Sequence, residues 1–214
     1  MLLSQKHNFI FVHVFKAGGM SVTKALLPYS DRIFRFRKPA LKFPRVADAI
    51  LGEKRWLISE RHITAASIRN ILGEDCWNRK FSFAFVRNPW DWEISMYHYI
   101  VQKKKDQRHE KVVSLGSFDA YIRERYSRPI RVQSDLLDDD NGVSLVDFVG
   151  RFENLTDDFA EAIRRIGIEV ELPHANASKR SRDLRSFYSQ ETFDMVGEKH
   201  GDDLVRFGYD TCRF

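Results

Sequence analysis

FIFVHVFKAGGMSV, residues 9–22, joins a run of aromatic and β-branched residues to a lysine, a pair of glycines and a serine. The run is apolar on both faces, as in an interior strand of a parallel sheet. The residues after the glycines, SVTKALLPY, read as a short helix ended by Pro28. A strand, a glycine turn and a helix in that order form a site for an anion: glycine lets the backbone approach it closely, and a helix N-terminus offers free N–H groups. The familiar nucleotide loop places its glycines first and closes on Lys-Ser/Thr. Here Lys16 precedes Gly18 and Gly19, and Ser21 follows them. That order argues against an ATP-dependent kinase, which also needs acidic metal ligands at its strand ends.

A second unit of the same kind lies further on. FSFAFV (81–86) is a strong strand that runs into RNPWDWEISMYHYIVQ. The start of that segment carries helix signals, with Asn88 as N-cap, Pro89 at the first helical position and Asp91 in the first turn. Arg87 at the strand end can grip a phosphate by two parallel hydrogen bonds, and Ser95, about two turns into the helix, can add a third. In open α/β sheets, ligands sit at the carboxyl ends of strands. Two anion sites on one sheet edge predict a ligand with phosphate groups at both ends of a nucleoside.

Working outward, the N-terminal MLLSQKHNFIFVHVF is interrupted by Gln5, Lys6, His7, Asn8 and His13. We read it as the first strand rather than a secretion signal. RWLIS (55–59) is a candidate strand and ITAASIRNIL (63–72) a helix. SLVDFVGRF (144–152) is a later strand, followed by a helix capped by Asn154 and running to Gly167, with a final helix near 190–206. QKKKDQRHEK (102–111) reads as a solvated loop or helix end. The alternation of strand and helix predicts an α/β fold, a three-layer sandwich around a central parallel sheet, in one domain over residues 1–214.

The 214 residues are 43% hydrophobic, with no apolar run long enough to cross a bilayer, so the expectation is a soluble, cytoplasmic protein. Two cysteines, Cys76 and Cys212, stand far apart in no metal-ligand spacing, as expected of a reducing compartment. The acidic stretch DLLDDDNG (135–142) lacks the spacing of a calcium loop, and no metal is expected. A formal net charge of +5 is compatible with an anionic ligand. No nucleic-acid recognition motif accompanies it.

VHVFKAGGMSV resembles the 5′-phosphosulfate loop of sulfotransferases, and FAFVRNPWDWEISMYHY resembles their 3′-phosphate motif. The likeness continues in FVGRFENLTDDF (148–159) and in the segment from Leu172 to Asp210, so it covers most of the chain in order. It is nearest to the bacterial and carbohydrate-directed branch, which includes the heparan sulfate 2-O-sulfotransferases. The resemblance implies a fold related to P-loop nucleotide-binding proteins. It also implies transfer of a sulfuryl group from 3′-phosphoadenosine 5′-phosphosulfate (PAPS) to a hydroxyl, on a saccharide in this branch, with release of adenosine 3′,5′-bisphosphate (PAP). It assigns Lys16 to the leaving oxygen, Gly18, Gly19, Ser21 and Val22 to the 5′-phosphate, and Arg87 and Ser95 to the 3′-phosphate. Ala17 and Met20 complete that loop, standing where the family commonly has threonines.

An alcohol acceptor needs a base. His62, in SERHITA between a candidate strand and a helix, matches the place of a catalytic histidine in the resembled branch, and imidazole titrates near working pH. Glu60 is the rival, since other sulfotransferases use a glutamate. His13, inside the first strand, reads as structural. Lys179 and Arg180 match a segment that closes over the nucleotide. Trp90 and Trp92 read as core aromatics, and Arg151 and Glu153 as structural. The basic stretches 31–45 and 102–111 are candidate contacts for an acidic saccharide or plain solvated surface. The competing reading is a glycan- or nucleotide-binding protein on the same fold without turnover.

Overall fold

The structure is a computed structural model that describes residues 1–31, 63–173 and 184–209. Among these, strands β1 (Leu2–Ser4), β2 (Phe9–Val12), β3 (Phe81–Val86) and β4 (Phe148–Arg151) form one sheet in the order β1-β2-β3-β4. β2, β3 and β4 are parallel, with Val12 opposite Ala84 and Val86 opposite Arg151. The three strands therefore send their carboxyl ends to one edge.

The parallel strands are joined at one edge by β1, which runs antiparallel to β2, with Leu3 opposite Ile10. One N-terminal strand was expected where the chain makes a hairpin. Its turn is the polar quartet Gln5–Asn8, in which Asn8 takes a left-handed backbone (φ 49°), a conformation that asparagine tolerates better than most residues. The second strand also ends at Val12, short of Phe15, because the chain turns over residues 15–18.

β2 and β3 are interior strands, and their sequence shows why. Phe9, Ile10, Phe11 and Val12 are each at most 1% exposed, as are Phe83, Ala84, Phe85 and Val86. Ring contacts join the two strands, Phe11 to Phe83 at 5.3 Å and Phe11 to Phe85 at 6.3 Å between centroids. Each phenylalanine buried this way contributes roughly 1.5–3 kcal/mol. The polar residue in β3, Ser82, is fully buried and satisfied: its N–H and hydroxyl both donate to Asp147 Oδ2 at 2.7 Å. That pair fixes β4 in register beside β3.

The chain divides into two compact units. The first holds the sheet together with helices α1 (Gly19–Leu26), α2 (Ala65–Leu72) and α3 (Glu74–Asn78). The second holds α4 (Pro89–Gln102), α5 (His109–Ser114) and α6 (Phe118–Tyr126). The chain then returns to the first unit for β4 and α7 (Leu155–Ile166), and ends in the second with α8 (Gln190–Lys199) and α9 (Gly201–Arg206). The candidate strand 55–59 lies outside the described residues.

In the first unit, α7 buries Leu155, Phe159, Ala162 and Ile163, one helical stripe, and ends on Gly167 at φ 73°. Asn154 stands at its N-cap position, yet its side chain makes no capping hydrogen bond. Asp157 and Asp158 in the first turn complement the helix dipole instead. Gly150 in β4 permits close packing beneath α7: a Cβ there would stand 2.5 Å from Phe85 Cε1 and 2.9 Å from Asp158 Cβ. Gly150→Ala is therefore expected to lower unfolding stability by about 2 kcal/mol, measured by chemical denaturation. A loss under about 0.5 kcal/mol would show that the ring moves aside freely.

In the second unit, the expected final helix breaks at His200, which ends α8 and begins α9.

Candidate functional site

The anion-type turn is built within the first unit. β2 delivers the chain to residues 13–18, and α1 starts at Gly19 with Gly18 as N-cap. Lys16 has a left-handed backbone (φ 63°) and so does Gly18 (φ 79°), while Ala17 between them does not. Such alternation makes backbone concavities that suit anions. Gly18 is glycine for two reasons, its positive φ and the 2.7 Å that would separate a Cβ from Leu155 Cδ2. Gly19 has a different neighbour. A Cβ there would fall 2.1 Å from His13 Cδ2 and 2.2 Å from Nε2, so that side of the imidazole lies against the first residue of α1. His13 also stacks on Phe11 at 5.8 Å, in keeping with its structural reading.

Side chains in the turn divide sharply. Ala17 is fully buried and Val22 likewise, whereas Met20 is 75% exposed. Lys16 and Ser21 are half-buried. The departure from threonine at position 17 thus falls on a side chain that faces the interior. On the same sheet edge, β4 ends at Arg151, whose N–H donates to Asp158 Oδ2 at 2.6 Å, and Phe152 lies against Gly18.

The second motif belongs to the other unit. Asn88 caps α4 as the sequence indicated: its side-chain oxygen accepts from the N–H of Trp90 at 3.1 Å and of Asp91 at 3.4 Å, with Pro89 at the start. Arg87 is 7% exposed and donates from Nε to Asp91 Oδ2 at 2.7 Å, with Nη2 directed to the same oxygen. Asp91 therefore does more than complement the dipole: it sets the angle of the guanidinium. Ser95 is 2% exposed, and Trp90 and Trp92 are core residues at 1% and 0%. Asp91 and Ser95, four positions apart on α4, share one stripe, and Arg87, just ahead of the helix, is held to it through Asp91.

Residues 1–210 match the sulfotransferase family. This chain belongs to that family. A protein of Archaeoglobus fulgidus, titled only as uncharacterized, is 33% identical over 108 residues, which span 49% of this chain and 82% of the relative. Membership sets the general chemistry, sulfuryl transfer to a hydroxyl-bearing acceptor.

Of the sulfotransferase residues expected from sequence, Lys16 through Val22 run from the turn into the start of α1 in the first unit, and in the second Ser95 lies on α4 with Arg87 just ahead of it. His62, Glu60, Lys179 and Arg180 lie outside the described residues, as does nearly all of the basic stretch 31–45. Segment 102–111 is a turn followed by the start of α5, with Lys104 and Lys105 exposed. Among the described residues no cluster of three metal-ligating side chains occurs, and no helix is long and apolar enough to cross a membrane.

Sequence reasoning missed α6 and the buried carboxylate of Glu93 that it covers. The helix had a signal: Ser117 caps it by accepting from Ala120 N at 3.1 Å, and Phe118, Tyr121 and Ile122 follow at helical spacing.

Proposed function

We propose that this sulfotransferase moves the sulfuryl group of PAPS to a hydroxyl of a saccharide, within the carbohydrate-directed branch and in the cytoplasm. The observation that carries this reading is the turn at Lys16–Gly19, with its alternating backbone and its glycines in contact with Leu155 and His13. In that reading Lys16 meets the oxygen that bridges phosphate and sulfuryl group, and Gly18, Gly19, Ser21 and Val22 hold the 5′-phosphate alongside Ala17 and Met20. Arg87 and Ser95 take the 3′-phosphate, and Lys179 and Arg180 are further nucleotide-binding residues.

The acceptor oxygen forms a bond to sulfur as the bridging S–O bond breaks. The bonding pair leaves on the 5′-phosphate as PAP, and the hydroxyl proton passes to His62. Catalysis of this kind rests on positioning and charge rather than on covalent chemistry by the protein. Lys16, Arg87 and the N-terminus of α1 supply positive charge in place of a metal.

Calorimetric titration with PAP, with ADP as control, tests the donor. The wild type is expected to bind PAP at least about 30-fold more tightly than ADP, because a charge-assisted, two-bond grip on phosphate is worth roughly 2–3 kcal/mol. Arg87→Ala is expected to erase the difference. Equal binding of both nucleotides by the wild type would sink the PAPS reading. Ala17 and Met20, which bring no hydroxyl where threonines are common in the family, favour a second reading, a binding protein without turnover. Its mark would be tight PAP binding with no transfer from labelled PAPS to any saccharide offered.

A further inference from the structure

Glu93 lies on α4 with its side chain wholly buried. Removing a carboxylate from water costs several kcal/mol unless every lone pair finds a partner. Here Oε1 accepts from Arg125 Nε at 2.8 Å and from the Tyr126 hydroxyl at 3.1 Å, and Oε2 accepts from the Tyr121 hydroxyl at 3.3 Å. Burial, and after it the negative charge of Glu93, pushes both tyrosines well above their ordinary range, so they remain neutral donors.

The Tyr126 proton is committed to Glu93, and its oxygen also lies 3.0 Å from His200 Nε2. His200 in turn faces Asp203 through Nδ1 at 3.4 Å and meets the Trp92 ring edge-on at 5.7 Å. One buried chain of polar groups thus ties α4 to α6 and to the break between α8 and α9. All of it lies within the second unit.

The direction of this tie is what matters. A helix turns about 100° per residue, so Glu93 stands about 200° from Ser95 and from Asp91, on the opposite face from Ser95 and from the carboxylate that holds Arg87. Clamping one face fixes where the other points. We propose that Glu93 is a positioning residue for recognition of the donor's 3′-phosphate, acting through the rotation of α4. The inference rests on the donor reading above. A purely structural carboxylate would affect every nucleotide alike. A positioning one affects only the part of the ligand that the stripe meets.

The test compares PAP with adenosine 5′-monophosphate, which lacks the 3′-phosphate, by calorimetry on wild type and Glu93→Gln. The variant keeps the side chain's size but removes its charge and turns an amide N–H₂ toward a donor. PAP affinity is expected to fall about 10-fold while monophosphate affinity changes less than about 2-fold. Tyr126→Phe and Tyr121→Phe each delete one hydroxyl and are expected to lower the PAP-to-monophosphate ratio about 3-fold. They carry the test should Glu93→Gln fail to fold. A wild type that discriminates, with variants that discriminate equally or weaken both ligands together, overturns the inference alone. A wild type that binds the two nucleotides alike overturns the donor reading and this inference with it.

Discussion

Gly19→Ala is expected to abolish measurable PAP binding and to lower unfolding stability by roughly 2–3 kcal/mol, while His13→Ala/Gly19→Ala recovers most of the stability. The new methyl in the single variant would stand 2.1–2.2 Å from the His13 ring. The imidazole has little room to yield, because it is stacked on Phe11 and follows directly on the buried strand β2. Either the ring is driven out or the first turn of α1 lifts away from the sheet edge, and the second movement displaces the N–H groups that an anion would use. Removing the ring opens space for the methyl, so the two substitutions should couple by more than about 1.5 kcal/mol in a double-mutant cycle. Additive effects would show that the His13–Gly19 contact does not set the turn. Gly18 provides the contrast. Its φ of 79° penalises any side chain, so no second substitution should rescue Gly18→Ala fully.

The difference between these two glycines explains what could be read from sequence and what could not. The pair was legible as a turn for an anion, but not that one glycine answers to a backbone angle and the other to an imidazole. Some features set by neighbours along the chain were legible: β3 has the expected bounds, and Asn88, Pro89 and Asp91 start α4 as their chemistry requires. Features set across the chain were misread. The polar residues Gln5–Asn8, taken as an interruption of one strand, are the turn of a hairpin, and only the pairing of Leu3 with Ile10 reveals it. Asp91 stands where the helix dipole favours an acid, and only the fold shows its ion pair with Arg87. No neighbour along the chain marks Glu93, since its partners lie on α6, some thirty positions further on. The break at His200 had a signal in the sequence, Gly201 followed by Asp202 and Asp203 in the first turn of the new helix.

Lys16→Gly is expected to cost roughly 10²–10³ in turnover and almost nothing in stability. A lysine at φ 63° holds backbone strain of about 1 kcal/mol, which ordinary residues avoid and glycine does not feel. Replacing it with glycine removes that strain. The same change gives the unfolded chain more freedom, which costs roughly 0.5–1 kcal/mol. The two effects oppose each other, so the melting temperature should move by less than about 3 °C for a chain of this size. Lys16→Ala keeps the strain and loses the charge, and should be no more stable than Lys16→Gly while equally slow. PAP affinity should fall less than turnover in both variants, because in the proposed reaction the ammonium meets charge that grows on the bridging oxygen as the S–O bond breaks. Steady-state kinetics beside thermal melts separates the two roles. Turnover above about half of wild type in Lys16→Gly would remove Lys16 from leaving-group stabilisation. A melting temperature lowered by more than about 6 °C would instead show that the lysine holds the turn together, and that its unusual backbone is a cost of structure rather than of catalysis.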